Sequence, residues 1–128
     1  METVLFILTG LPGAGKTTYA KQLAQQSDAV VFSLDTEMHK RYGADHHIDL
    51  EVREKASKYD LLPEIENLLA QGTSVILDYG FYRQEERARY ERMAKRFGVQ
   101  SRIVYITASY QKLLERIEKR NTEEQNIH

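Results

Sequence analysis

No cysteine occurs anywhere in the 128 residues, which excludes disulfides and thiolate metal sites and fits a reducing cytoplasm. Proline is scarce at two residues and glycine at seven, too little of either for a fibrous or low-complexity chain. An excess of one charge is missing as well. Lys and Arg number 18 against 19 Asp and Glu, a net charge of −1, so no overall basic field draws in nucleic acid or an anionic membrane surface, although a local basic patch is compatible with that balance. No apolar run approaches the ~20 residues of a membrane span. Met1-Glu2-Thr3 precedes a short apolar run without the positive flank or the length of a signal peptide. These absences predict a soluble, cytoplasmic protein.

What is present is globular: 41% hydrophobic and 29% charged residues, in a length that suits one domain over residues 1–128. Four short apolar runs, Val4 to Leu8, Val30 to Leu34, Val75 to Leu77 and Ile103 to Ile106, are rich in β-branched residues and continuous rather than alternating. That is the pattern of strands covered on both faces, as in a parallel sheet flanked by helices. Between them, Thr17 to Gln26, Glu51 to Gln71, Glu85 to Phe97 and Tyr110 to Arg120 have helical spacing. Pro63 should kink or divide the second, and Ser109 is placed to cap the fourth. The alternation of strand and helix predicts an α/β sheet with right-handed crossovers. Tyr42 to Ile48 and the polar tail Asn121 to His128 read as mobile. A sheet that stops after about four strands has an uncovered edge, so the expectation is a shortened form of a longer protein, a monomer or an edge-paired dimer.

Gly10-Leu11-Pro12-Gly13-Ala14-Gly15-Lys16-Thr17 matches G-x-x-x-x-G-K-[ST] at every fixed position, between a predicted strand and a predicted helix. Gly10, Gly13, Ala14 and Gly15 let backbone N–H groups turn inward around a β-phosphate. Lys16 supplies positive charge to the β and γ oxygens, the Thr17 hydroxyl is a magnesium ligand, and Thr18 follows it into the helix N-terminus, whose partial charge also favours phosphate. The nucleotide implied is Mg-ATP, with GTP not excluded by the motif.

Asp78 ends the run Ser74 to Asp78 as a strand-borne carboxylate for the magnesium shell would, or caps the helix after it. Asp35 follows the second run, at the strand end where open α/β sheets place their ligand crevice. It reads either as the base that takes the proton of an attacking hydroxyl or as a cap for Thr36 to Tyr42. Tyr79, Phe81, Tyr82 and Arg83 line an acceptor pocket or pack the next helix, packing being the simpler reading. Asp45 to Asp49 holds two histidines but lacks the i, i+4 pairing of helical metal sites.

Thr9 to Thr18, Ser33-Leu34-Asp35, Val75 to Asp78 with Arg83 and Arg87, and Leu113 to Arg120 together resemble the P-loop kinases related to polynucleotide kinase, zeta toxin and chloramphenicol phosphotransferase, often described only as AAA family ATPases. The resemblance spans residues 3 to 120. It implies a three-layer P-loop NTPase fold, with Asp35 handling the acceptor hydroxyl and Arg116 and Arg120 reaching over the nucleotide as a lid. On the residues alone, Arg116, Lys119 and Arg120 are equally a solvated helix face paired with Glu115 and Glu118. Two departures stand out. Polynucleotide kinases often carry an Arg three residues after the acid, where this chain has Met38, and related kinases continue past the lid helix into a further helix and a fifth strand. The expected function is transfer of the γ-phosphate of Mg-ATP to a hydroxyl acceptor, a small molecule or a nucleic-acid end, the net charge and Met38 weighing against the second. The alternative is a non-catalytic or truncated ATP-binding module.

Overall fold

Val4 to Thr9 forms the first strand, β1, and every one of its six residues is buried, as a continuous apolar run covered on both faces must be. The computed structural model describes residues 2–10, 15–45, 49–80 and 83–106. After β1 come α1 (Lys16–Ser27), β2 (Val30–Ser33), α2 (Leu34–Tyr42), a 3₁₀ turn (Gly43–Asp45), α3 (Leu50–Ala70), β3 (Val75–Asp78), α4 (Gln84–Arg96) and β4 (Gln100–Tyr105). The strands form one parallel sheet in the order β2-β3-β1-β4. The expected α/β architecture with four strands is the one observed.

The sheet separates two apolar clusters. Leu5, Ile7, Val75 and Leu77 pack against α2, α3 and α4 through residues such as Met38, Ile65 and Met93. Val4, Phe6, Leu8 and Ile76 point the other way, onto Ala20 and the half-buried Leu23 of α1. Alternate residues of β1 thus feed opposite layers, giving three layers in all. Each fully buried Leu or Ile side chain stabilises this sandwich by about 1.5–3 kcal/mol relative to exposure.

The strands differ by position. β1 and β3 are buried throughout, whereas Val30 and Val31 of β2 are exposed and β4 alternates. Coverage on both faces therefore holds for the two central strands and not for the two edges. β4 also starts earlier than its apolar residues, at Gln100, because an edge strand carries polar residues such as Gln100 and Arg102 without burying them.

Pro63 does not divide the second long helix, which runs unbroken from Leu50 to Ala70. The proline lies on the exposed side, and the carbonyl it deprives of a donor, that of Tyr59, is on the same wet face, where water replaces the lost bond. Of the segment expected to be mobile, Tyr42 closes α2 and Gly43–Asp45 is a 3₁₀ turn. Residues 46–48, the Tyr110 to Arg120 helix and the polar tail lie outside the described residues.

Candidate phosphate-binding site

Parallel strands put all their carboxyl ends on one edge, and the register sets Ser33 beside Asp78 across β2 and β3. β1 delivers Gly10 to that same edge, where a hydrogen on Cα is all that fits: a Cβ there would stand 2.5 Å from the backbone oxygen of Ile106. The N–H of Ile106 in turn donates to Thr9 O at 2.8 Å, so the end of β4 is drawn tightly against the start of the loop. The loop closes at Gly15, left-handed at φ 89°, which is the N-cap of α1 and a conformation costly for any residue with a Cβ.

Lys16 opens α1 and reaches back to the end of β1, its Nζ donating to Gly10 O at 3.2 Å. Thr17 Oγ1 donates to Asp78 Oδ2 at 3.3 Å, joining the first turn of α1 to the last residue of β3. Thr18 is exposed on the same turn. Asp78 is 7% exposed. Burial pushes its carboxyl above the ordinary range, the Thr17 hydrogen bond and the Lys16 charge pull it back, and the charge of Asp35 pushes it up again. Lys16, Thr17 and Asp35 therefore lie within electrostatic reach of the Asp78 carboxylate.

Neither aspartate caps a helix. α2 is capped by Ser33, whose Oγ accepts from Thr36 N at 3.4 Å, with Asp35 in the first turn. α4 begins after Arg83 with no side-chain cap. Asp35 is exposed and lines a cleft of about 630 Å³ with Thr17, Ser33, Thr36, His39 and Lys40. A second hollow of about 480 Å³ shares Thr17, Ser33, Thr36 and Lys40 and reaches Asp78. Sequence reasoning missed His39 and Lys40 as cleft residues. A serine two residues before the acid, at the end of a strand, was the available signal that the cap role was already filled.

Thr17 and Asp78 offer one hydroxyl and one carboxylate, oxygen donors suited to a hard cation. Among the described residues no group of three or more His, Cys, Asp or Glu could hold a metal ion. Such a sparse donor set fits Mg²⁺, which keeps several waters and shares its coordination with substrate phosphates.

Tyr79, next to Asp78, belongs to the core. It is buried and meets Tyr90 edge to face, ring centroids 6.0 Å apart. Burial raises both phenols, Tyr90 to about 12 and Tyr79 further, so neither is a base at neutral pH. Arg83 is exposed and Arg87 lies 5.9 Å from the Tyr105 ring. Gly13, Ala14, Phe81, Tyr82, His46, His47, Arg116 and Arg120 lie outside the described residues.

A family model for an AAA domain, AAA_33, matches residues 5–128. Shikimate kinase 1 of Erwinia tasmaniensis is 32% identical over 112 residues, covering 88% of this chain and 62% of that protein. The chain thus spans about three-fifths of the length of the relative it matches. Among solved structures, a chain of the Pnkp1/Rnl/Hen1 complex shares the fold, with TM-score 0.72 at 20% identity over 90% of this chain and 39% of its own. Chaetomium thermophilum Kti12 in complex with ADP-AlF3 gives TM-score 0.62 at 25% identity, covering 92% of this chain and 68% of that one.

Proposed function

Because the chain belongs to the AAA_33 family of AAA domains, we propose that it is a single-domain P-loop kinase that holds Mg-ATP on Gly10 to Thr17 and passes the γ-phosphate to a hydroxyl acceptor beside Asp35. The observation that carries this reading is the meeting of Thr17 with Asp78, with Lys16 and Asp35 both acting on the same carboxylate. The relatives support it as far as their names go, one being a kinase of a small hydroxylated acid and another binding ADP-AlF3.

In this reading Lys16 exchanges Gly10 O for phosphate oxygens and neutralises charge at the β and γ positions. Thr17 and Asp78 would hold Mg²⁺, which would offset the charge of the phosphate oxygens. Asp35 accepts the proton of the acceptor hydroxyl as its oxygen bonds to the γ-phosphorus and the bond to the β-phosphate oxygen breaks, releasing ADP. Arg116 and Arg120 cover the nucleotide. Most of the rate enhancement comes from positioning and charge complementarity.

The test follows γ-labelled ATP with Mg²⁺ into two pools, small hydroxyl metabolites and oligonucleotides with a free 5′-hydroxyl, with Lys16→Ala as control. Label in the first pool is the expected result. Label in the second changes the acceptor class, and label only in free phosphate, or nowhere, replaces the kinase by an ATP-binding module.

A further inference from the structure

Balanced net charge hides an uneven distribution on α4. Its first turn carries Glu85 and Glu86, while Arg89, Arg92, Lys95 and Arg96 follow on the exposed side. Elsewhere several cations are matched: Arg41 bonds Glu37 and Asp60, Lys55 pairs with Glu51, and Lys58 with Glu86. Among the described residues Arg89, Arg92 and Lys95 enter no ion pair, and Arg96 reaches Glu66 only at 4.0 Å. These four cations, with no carboxylate, surround a hollow of about 580 Å³ floored by the buried Met93.

The hollow adjoins a groove of about 520 Å³ between α3 and α4, which shares Arg89, Met93 and Arg96 with it and also takes in Tyr59, with Lys55, Lys58 and Arg83 set against Glu66, Glu85 and Glu86. Tyr59 is 74% exposed there. Cations in the last turn of a helix are explained by its dipole, which covers Lys95 and Arg96. It does not cover Arg89 and Arg92 in the body of the helix, nor the exposed Tyr59 ring that lines the groove with Arg89.

We propose that the α4 hollow and the adjoining α3–α4 groove together bind a single-stranded nucleic acid, with Arg89, Arg92, Lys95 and Arg96 on the phosphates and Tyr59 stacked on a base. A cationic groove with an exposed aromatic wall is what single strands use: charge tracks the backbone and a ring accepts any base. Guanidinium groups fork onto phosphate oxygens. From Arg83 to Arg96 the helix is about 20 Å long, room for roughly six nucleotides at 3.4 Å per step. An acidic peptide would use the cations but gives Tyr59 no partner. This inference is independent of phosphoryl transfer, and binding is read without it.

The experiment measures fluorescence anisotropy of a labelled oligouridylate of about ten residues, a length within single-strand site sizes, with the full chain over a salt series. Log affinity should fall with log salt at a slope of about −2 to −3 for three or four phosphates. Arg89→Gln with Arg92→Gln should weaken binding at least ~10-fold and flatten the slope by about 1.4. Tyr59→Ala should weaken it on the order of tenfold without changing the slope, and Tyr59→Phe should restore it. Each variant is required to keep the wild-type unfolding midpoint and ADP affinity. No binding at low salt, wild-type binding by the double variant, or equal binding of the corresponding duplex would overturn the proposal. So would displacement by polyglutamate together with indifference to Tyr59→Ala, which would make the groove a surface for acidic protein.

Discussion

Thr17 Oγ1 and Asp78 Oδ2 share a hydrogen bond of 3.3 Å across 61 positions of sequence. Two oxygens suited to a magnesium ion thus lie side by side, and the hydroxyl needs only to rotate to release the carboxylate. The bond does not fully offset burial, since the Asp78 carboxyl still lies above its ordinary 3.8. The phosphate site is therefore assembled at some cost to the fold, a trade common at functional positions.

That cost gives a signed prediction. A carboxyl raised in the folded state favours folding while protonated, so stability should fall as pH rises from about 3.8 through the folded value and then level off. Asp78→Asn keeps an oxygen for Thr17 and removes the charge. Thermal unfolding between pH 4 and 8 should show this part of the slope gone and a higher midpoint near neutrality. The same variant should lose the stabilisation that Mg-ATP gives the wild type. A variant less stable than wild type at pH 7 would contradict the account of Asp78 as a buried, incompletely compensated charge.

Lys16 and Asp35 separate binding from transfer. Lys16→Ala loses one partly buried bond to Gly10 O, about 1 kcal/mol of stability or less, but should cost ~10- to 100-fold in Mg-ATP affinity, as loss of a charged partner does. Asp35→Asn should leave that affinity unchanged and lower turnover by about 10²–10⁴. Because the Asp35 charge raises Asp78, Asp35→Asn should also move the Asp78 titration down, which NMR of the carboxyl carbon would register. Turnover at the wild-type rate would remove Asp35 as the base.

How much of this was legible depends on what burial did to each residue. Val4 to Leu8 and Val75 to Leu77 announce themselves because central strands bury both faces. Gln100 to Arg102 do not, because an edge strand tolerates polar side chains. The phosphate-loop motif placed Gly10, Lys16 and Thr17, and the strand before Asp78 brought it to Thr17. Whether Asp35 caps α2 turned on whether Ser33 Oγ was already the acceptor for Thr36 N, a local geometry that composition and spacing leave open. The grouping of α4 cations against Tyr59 needed two helices to be set side by side.

Met38 shows the same dependence. Its position three residues past Asp35 invites comparison with an arginine that reaches the acceptor, yet the side chain is 2% exposed, in the core with Ser57 Oγ 3.3 Å from its sulfur. An arginine there would bring a charge among Leu34, Leu61 and Ile65. Met38→Arg should therefore destabilise by about 3 kcal/mol or more, in the range of an uncompensated buried charge, and should add no affinity for oligonucleotides. Urea unfolding tests the first statement and anisotropy the second. A folded variant with tighter oligonucleotide binding would mean that α2 can turn this position outward.

Gly10 offers a contrast between two kinds of glycine. A Cβ on Gly10 would meet Ile106 O at 2.5 Å and Ile106 C at 3.4 Å, both backbone, while one on Gly98 meets nothing within 4 Å but sits at φ +68°. Gly10→Ala must separate the loop from the end of β4, against the 2.8 Å bond between Ile106 N and Thr9 O. Overpacking of this kind costs about 1–3 kcal/mol, and the shift falls on the strand end that carries the phosphate loop, so nucleotide affinity should fall with stability. Gly98→Ala strains only its own turn, at about 1–2 kcal/mol, and should leave affinity intact. Urea unfolding with parallel ADP titrations separates the two. If Gly10→Ala unfolds like the wild type, β4 stands further from the loop than 2.5 Å implies; if both variants lose affinity together, the loss follows from general destabilisation rather than from the loop.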